Sequence, residues 1–220
     1  MEFVEKKIWY NHPILNLNTI PMPSKHPLPQ EELLVELKCL FLHYWDDRVE
    51  GSAICVGQNG KVRENRDFIF FNKLAEPDDP IRLVYDFPYP FFSFWTFCSL
   101  IPKWIWKLFP QKKIEIRYEF AVSLQEIPSD IHRILFSLSL LEPKEKNKND
   151  TRITQVSLCM KSAKNNQELL RTRPSDNWER ASSMIVGEMH RNGNTWAFET
   201  LAQGVNGGLG DLARSFGVNV

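Results

Sequence analysis

Several segments of the chain alternate apolar and polar residues with a period of two, the pattern of β-strands that have one buried face. The clearest of these segments are 114–124, 134–140 and 154–160. Each is about as long as one strand of a sheet, and none shows the 3.6-residue period of an amphipathic helix. The pattern therefore predicts a protein built mainly from strands.

A further strand is predicted in the segment ELLVELKCLFLHYW, which begins at Glu32. The apolar residues at every second position of this segment are Leu33, Val35, Leu37, Cys39 and Phe41. Apolar residues between them also allow a helix, but the period-two face favours a strand.

Tight turns separate many of the predicted strands. Asn59-Gly60 and Asn192-Gly193 are strong hairpin signals, and the second joins the strand-like runs 182–188 and 196–200. After them comes a glycine-rich stretch and one predicted short helix, 211–216. Many short strands with such turns predict an all-β fold, a two-sheet antiparallel β-sandwich with few short helices.

The distribution of prolines divides the chain. Residues 1–30 hold a dense set of prolines, which break helices and sheet ladders, so an extended lead-in is predicted there. Residues 31–220 are predicted to form one β-sandwich domain, interrupted by a hydrophobic aromatic insertion at 87–109.

Composition excludes several classes of protein. Hydrophobic residues at 43% and charged residues at 25% are typical of a globular domain. Lysine plus arginine and aspartate plus glutamate are balanced at 27 each, which argues against nucleic acid as a partner. The four cysteines form no C-x-x-C pair, and the chain begins without a secretory signal pattern. A cytoplasmic location is therefore expected.

No enzyme motif stands out. The five histidines show no H-x-x-x-H spacing, and no G-x-S-x-G elbow occurs. Glu188 and His190 lie two apart in a predicted strand and share a face, which favours a surface hydrogen bond over a catalytic dyad. The prediction is a protein that is not an enzyme and has no catalytic residues.

Two blocks of sequence resemble the TerD family of bacterial tellurium-resistance and stress proteins. The first is the glycine-rich ending GGLGDLARSFGVNV (207–220), together with Gly187-Glu188 and Trp196-Ala-Phe before it. The second is GKVRENRDFIFFN (60–72). The resemblance implies a two-sheet β-sandwich, calcium as a bound ion, and other proteins of the same resistance system as partners.

The family's calcium positions are only partly kept. Where the family has an Asp-x-Asp pair, this chain has Arg48-Val49-Glu50, while Asp67 and Asn72 remain. Calcium needs six to eight oxygen ligands, and a nearby arginine opposes it. The favoured expectation is that Arg48 pairs with Asp67 or another carboxylate and no cofactor is needed. A remodelled calcium site at Glu50, Asp67 and Asn72 is the alternative.

The insertion 87–109 contains ten of the chain's 27 aromatic residues. Its uncharged run of 16 residues is too short to span a bilayer as a helix. Tryptophans beside lysines suit a membrane interface, and aromatic residues also dominate protein interfaces. The predicted contact residues for a membrane surface or protein partner are Phe91, Phe92, Phe94, Trp95, Phe97, Lys103, Trp104, Trp106 and Lys107.

Other roles remain open for the same insertion. The segment can instead cover its own sandwich and supply core. It can also roof a pocket for a small ligand. The leading prediction is a non-enzymatic binding or scaffold module that reaches a protein partner or the inner membrane through 87–109.

Overall fold

The described residues form a sandwich of two antiparallel β-sheets with one short α-helix, the fold that the sequence predicted. The computed structural model describes residues 25–43, 49–71, 76, 78–86, 112–141, 153–174 and 181–219. These residues form eleven strands.

The first sheet has six strands and the second has five. The six-stranded sheet contains β1 (His26–Leu28), β3 (Val49–Val56), β4 (Phe68–Ile69), β7 (Arg133–Leu140), β10 (Ser183–Asn192) and β11 (Thr195–Val205). The five-stranded sheet contains β2 (Glu32–His43), β5 (Ile81–Asp86), β6 (Lys112–Ser123), β8 (Ile153–Ser162) and β9 (Glu168–Thr172). Their spatial orders are β1-β11-β10-β7-β3-β4 and β5-β6-β2-β8-β9. Helix α1 (Leu209–Ser215) follows β11.

The main core lies between the two sheets and is built from the alternating positions. In β2 the side chains of Leu33, Val35 and Leu37 are fully buried, and Val35 lies opposite Phe120 of β6. Facing them from the six-stranded sheet are residues such as Phe136. The predicted period-two face of β2 is thus the face that packs against the other sheet.

A second core covers the outer face of the six-stranded sheet. Ile54 of β3 and Phe68 of β4 pack there with Leu212 and Phe216, which come from α1 and the residue after it. The loop after β3 is also tied to the helix, because Lys61 Nζ donates to the Ser215 carbonyl at 2.6 Å. Helix α1 therefore closes one face of the sheet.

Both predicted Asn-Gly turns are present. Gly193 has φ +59° between β10 and β11, and Gly60 has φ +73° in the loop after β3, a left-handed conformation that favours glycine. Within the block 60–72, Asp67 belongs to a 3₁₀ turn and the strand β4 covers only Phe68–Ile69.

Two observed strands depart from the sequence pattern. Strand β1 lies inside the proline-rich lead-in, where Pro27 pairs with Ala197 at the sheet edge. Proline is tolerated there because no further strand needs its missing N–H. Strand β9 is mostly polar and exposed, so it has no buried face to produce an alternating pattern.

Among the residues that the structure describes, no helix has the length and apolar character needed to cross a membrane.

Candidate functional site

The charged cluster at one end of the sandwich is organised by Arg63. Its guanidinium donates to both carboxylate oxygens of Asp67, with Nη2–Oδ1 at 2.8 Å and Nε–Oδ2 at 2.9 Å. The Arg63 backbone N–H also donates to Asp67 Oδ2 at 3.0 Å. On its other side, Nη1 reaches both oxygens of Asp130 at 2.9 and 3.1 Å. One arginine thus bridges two aspartates.

The cluster borders a cavity of about 140 Å³ that opens at the ends of the strands. Apolar side chains such as Cys55 and Ile131 form part of its wall, and Arg63, Asp67 and Asp79 supply charge. Pockets for drug-sized ligands usually measure about 300 to 1,000 Å³. This cavity is smaller than such a pocket.

The electrostatics of the cluster favour its fully charged state. Hydrogen bonds to Asp67, opposed by partial burial and reinforced by Asp130, raise the pKa of Arg63 above its usual range. The Arg63 guanidinium lowers the pKa of the exposed Asp130 carboxyl. Asp67 is 5% exposed, so the bidentate arginine is what balances its charge in a place with little water.

The Arg63 cluster does not fit a calcium ion. Both Asp67 oxygens face a guanidinium at hydrogen-bond distance, and the same guanidinium occupies Asp130. Calcium would have to displace this cation and still find six or more oxygen ligands. In this structure the partner of Asp67 is Arg63. Arg48 lies outside the described residues, so its predicted pairing with a carboxylate stays a prediction.

Glu50 lies in a different part of the sandwich. It is 3% exposed near the start of β3, and the hydroxyl of Tyr118 is 3.1 Å from Glu50 Oε2 and 2.7 Å from the Val49 carbonyl. Tyr118 is the register partner of Asp86, the last residue of β5. Glu50 is therefore buried near Tyr118, whose register partner is the last residue of β5.

The strand register separates Glu50 from Asp67. Phe68 pairs with Ile54, so Asp67 lies next to Cys55, five residues along β3 from Glu50. At about 3.3 Å per residue this is roughly 16 Å, while a calcium–oxygen bond is about 2.4 Å. The structure does not bring these two predicted ligands together around one ion.

The other predicted site residues cannot be compared with the structure. Asn72 and the insertion 87–109, which carries all nine predicted contact residues, lie outside the described part of the chain. Their roles stay predictions.

Sequence reasoning missed Arg63 and Asp130. Arg63 is four residues before Asp67, a spacing that brings the two together in the turn Asn65–Asp67. That proximity was a local signal for the pair. Asp130 is 67 residues away along the chain from Arg63, and only the fold places it there.

Replacing Asp130 with asparagine should lower stability in a pH-dependent way. The pKa of Asp130 is lower in the folded than in the unfolded chain, so its pairing with Arg63 stabilises above the ordinary value of about 4. That contribution is lost as the pH falls below about 4 through the folded pKa. Urea unfolding of Asp130→Asn should therefore show a deficit at pH 7 that shrinks toward pH 3.

Asp78→Asn is the matched control for the Asp130 experiment, since Asp78 is an exposed aspartate of the same region. It should show no such pH-dependent deficit. A deficit for Asp130→Asn that stays constant from pH 7 to pH 3 would contradict the ionic pairing.

Comparison with known sequences finds relatives from one protein family. A family model described as the TerD domain matches residues 111–216. The chain is 30% identical over 102 residues to chemical-damaging agent resistance protein B of Clostridium acetobutylicum, covering 46% of this chain and 73% of that protein. It is 22% identical over 186 residues to tellurium resistance protein TerD of Serratia marcescens, covering 80% and 84%.

Solved structures have the same fold. A homologue of the telluride resistance protein TerD from Streptomyces coelicolor A3(2) superposes with a TM-score of 0.56 at 15% identity, covering 84% of this chain and 96% of that one. Together with the domain match and the 30% identical relative, the eleven strands and α1 lead to one conclusion: the chain belongs to the TerD family, as a divergent member.

Proposed function

We propose that this chain is a non-enzymatic binding protein of a stress-response system, and that it makes contact through the aromatic segment 87–109. The end of the sandwich that carries the Arg63 cluster is held together by this arginine and does not need calcium. The Arg63 bridge between Asp67 and Asp130 is the observation that supports this independence from calcium. The stress role rests on family membership, because relatives carry names of resistance and stress proteins.

The position of the insertion supports a role in contact. Residues 87–111 connect β5 to β6, and β5 is the edge strand of its sheet. Val84 of β5 is 56% exposed, so the strand leading into the insertion already carries an apolar residue on the surface. An aromatic segment that starts at such an edge can contact another surface while the two sheets keep their structure.

The insertion and the Arg63 cluster are at opposite ends of β5. The cavity beside Arg63 includes Ile81, the first residue of β5, and the insertion begins after Asp86, the last. At about 3.3 Å per residue the two ends are roughly 17 Å apart. We therefore expect the strength of a contact made by the insertion not to depend on calcium.

Liposome co-sedimentation tests the membrane form of this proposal. Wild-type protein should sediment with vesicles that contain anionic lipid, and Trp95, Trp104 and Trp106 replaced together by serine should weaken binding by about tenfold or more. Binding should be equal with calcium and with a chelator.

The matched control replaces the same three tryptophans by phenylalanine, which keeps an apolar aromatic ring and should retain most of the binding. Wild-type protein that stays in the supernatant at every lipid concentration would refute membrane contact. The protein-partner form would then be tested by comparing the proteins cross-linked to the wild type and to the serine variant in cell extract.

A further inference from the structure

Strands β10 and β11 bring three potential metal ligands to one face of the six-stranded sheet. Glu188 and His190 flank Met189, which is buried in the main core, so both point to the outer face. Glu199 of β11 is the direct register partner of Glu188. The side chain of Glu199 also points outward, because its neighbour Phe198 lies in the core.

The three side chains are close enough to share an ion. One carboxylate oxygen of Glu188, one of Glu199 and a ring nitrogen of His190 all lie within 4.8 Å of one another. In a tetrahedral zinc site, bonds of about 2.0 to 2.1 Å place ligand atoms roughly 3.4 Å apart. Rotamer adjustments of about 1 Å, on strands that are already fixed by the sheet, would complete that geometry.

His190 has a ring nitrogen without a hydrogen-bond partner. Its Nδ1 is buried and has no hydrogen-bond partner. Burial, followed by the charge of Lys25, lowers the pKa of His190. Buried polar atoms usually have a partner, and a bound metal ion would provide one.

Glu188 is also poised for a cation. Burial raises the pKa of Glu188, Arg133 opposes this rise, and the like charge of Glu199 adds to it. A divalent ion between the two carboxylates would remove their repulsion and favour their charged forms.

Two cations face the same cluster and limit its affinity. Arg133 of β7 lies opposite His190, and its Nη1 is 3.7 Å from Glu188 Oε2. Lys25 acts on both Glu188 and His190 through its charge, and its side chain is exposed and can turn toward solvent. The cluster thus carries two carboxylates, an imidazole and two cations.

We propose that Glu188, His190 and Glu199 form a binding site for a divalent transition metal ion of the zinc class. One imidazole with two carboxylates suits zinc, cobalt, nickel or copper, whereas calcium takes oxygen ligands only. Three protein ligands leave a fourth position for water or for an atom of a bound molecule. The site is distinct from the aromatic segment and from the Arg63 cluster of the proposed function.

Zinc titration against a chromophoric chelator tests the site in the full-length protein. Wild type should bind zinc, and His190→Gln and Glu199→Gln should each weaken that binding by about tenfold or more, since each removes a direct ligand. Cobalt should give a visible absorption band in the wild type that both variants lose. Calcium should not compete with either ion.

His132→Gln is the matched control, because it removes an imidazole from a loop outside the cluster. Its zinc affinity should stay within about twofold of the wild type. Circular dichroism and the unfolding midpoint without metal establish that each variant is folded. The assignment would be overturned if the wild type binds no zinc. It would also be overturned if folded His190→Gln and Glu199→Gln variants bind zinc as the wild type does.

Discussion

Replacing Arg63 with methionine should lower the free energy of unfolding by about 2 kcal/mol. Methionine keeps the length and apolar body of the side chain but removes the charge. Asp67, at 5% exposure, would then retain only the backbone N–H of residue 63 among the three donors that Arg63 gives it. Breaking a fully buried ion pair costs about 3 to 5 kcal/mol, and the 27% exposure of Arg63 reduces that figure.

The control for this variant is Arg66→Met. Arg66 also pairs with a carboxylate, Glu64, at 2.6 Å, but both side chains are at least half exposed. Exposed pairs contribute about 0 to 1 kcal/mol, so this variant should unfold almost as the wild type does. Urea unfolding at pH 7 measures both. Equal losses for the two variants would show that the Arg63 bridge has no special role.

Calcium should affect the Arg63→Met variant and leave the wild type unchanged. Removing the guanidinium leaves Asp67 and Asp130 without the cation that joins them, with Asp79 on the same cavity wall. At about 10 mM calcium, a site with a dissociation constant of about 1 mM adds about 1.4 kcal/mol. Calorimetric heat or a raised midpoint in the wild type would contradict the view that Arg63 replaces the ion.

Replacing Gly51 with alanine should destabilise the fold by about 2 to 3 kcal/mol through overpacking. A Cβ at this position would lie 2.5 Å from Cγ and 2.6 Å from Cδ2 of Tyr118. The ring is fully buried, and its hydroxyl is held near Val49 and Glu50. Because the ring is confined at both ends, it cannot turn aside to make room.

Gly210→Ala provides the contrast for Gly51. A Cβ there would meet only the guanidinium of Arg214, at 3.6 Å or more, and alanine favours the helix α1. Its stability should be unchanged or higher by up to about 1 kcal/mol. Thermal and urea unfolding measure the stability of both variants. A Gly51→Ala variant as stable as Gly210→Ala would mean that the Tyr118 packing is looser than described.

The alternation of apolar and polar residues was sufficient to predict the strands that have one solvent-exposed face. The predicted run 114–124 became β6, and the terminal hairpin became β10 and β11, because in each case a buried face enforces a period of two. Strand β9 escaped prediction since its residues are largely exposed. Strand β1 escaped because Pro27 argues against a strand unless its position at an edge is known.

The charged site was harder to predict because strand register is a property of the whole fold. Glu50 and Asp67 were grouped as ligands from their positions in the family pattern, but the pairing of Ile54 with Phe68 places them roughly 16 Å apart. Arg48, in the family's Asp-x-Asp position, suggested an arginine in place of the ion, and this stays a prediction because Arg48 lies outside the described residues. The pairing of Arg63 with Asp67 depends on the 3₁₀ turn beside it, which the sequence pattern did not indicate.

Helix α1 has a consequence for how the protein is made. It comes after all eleven described strands along the chain, yet it covers apolar residues of β3 and β4 such as Ile54 and Phe68. At about 5 to 20 residues per second, roughly 7 to 28 s of translation separate the synthesis of β4 from that of α1. During this interval the nascent chain leaves that apolar surface uncovered, and we expect it to depend on ribosome-associated chaperones until Leu209 and the residues after it have emerged.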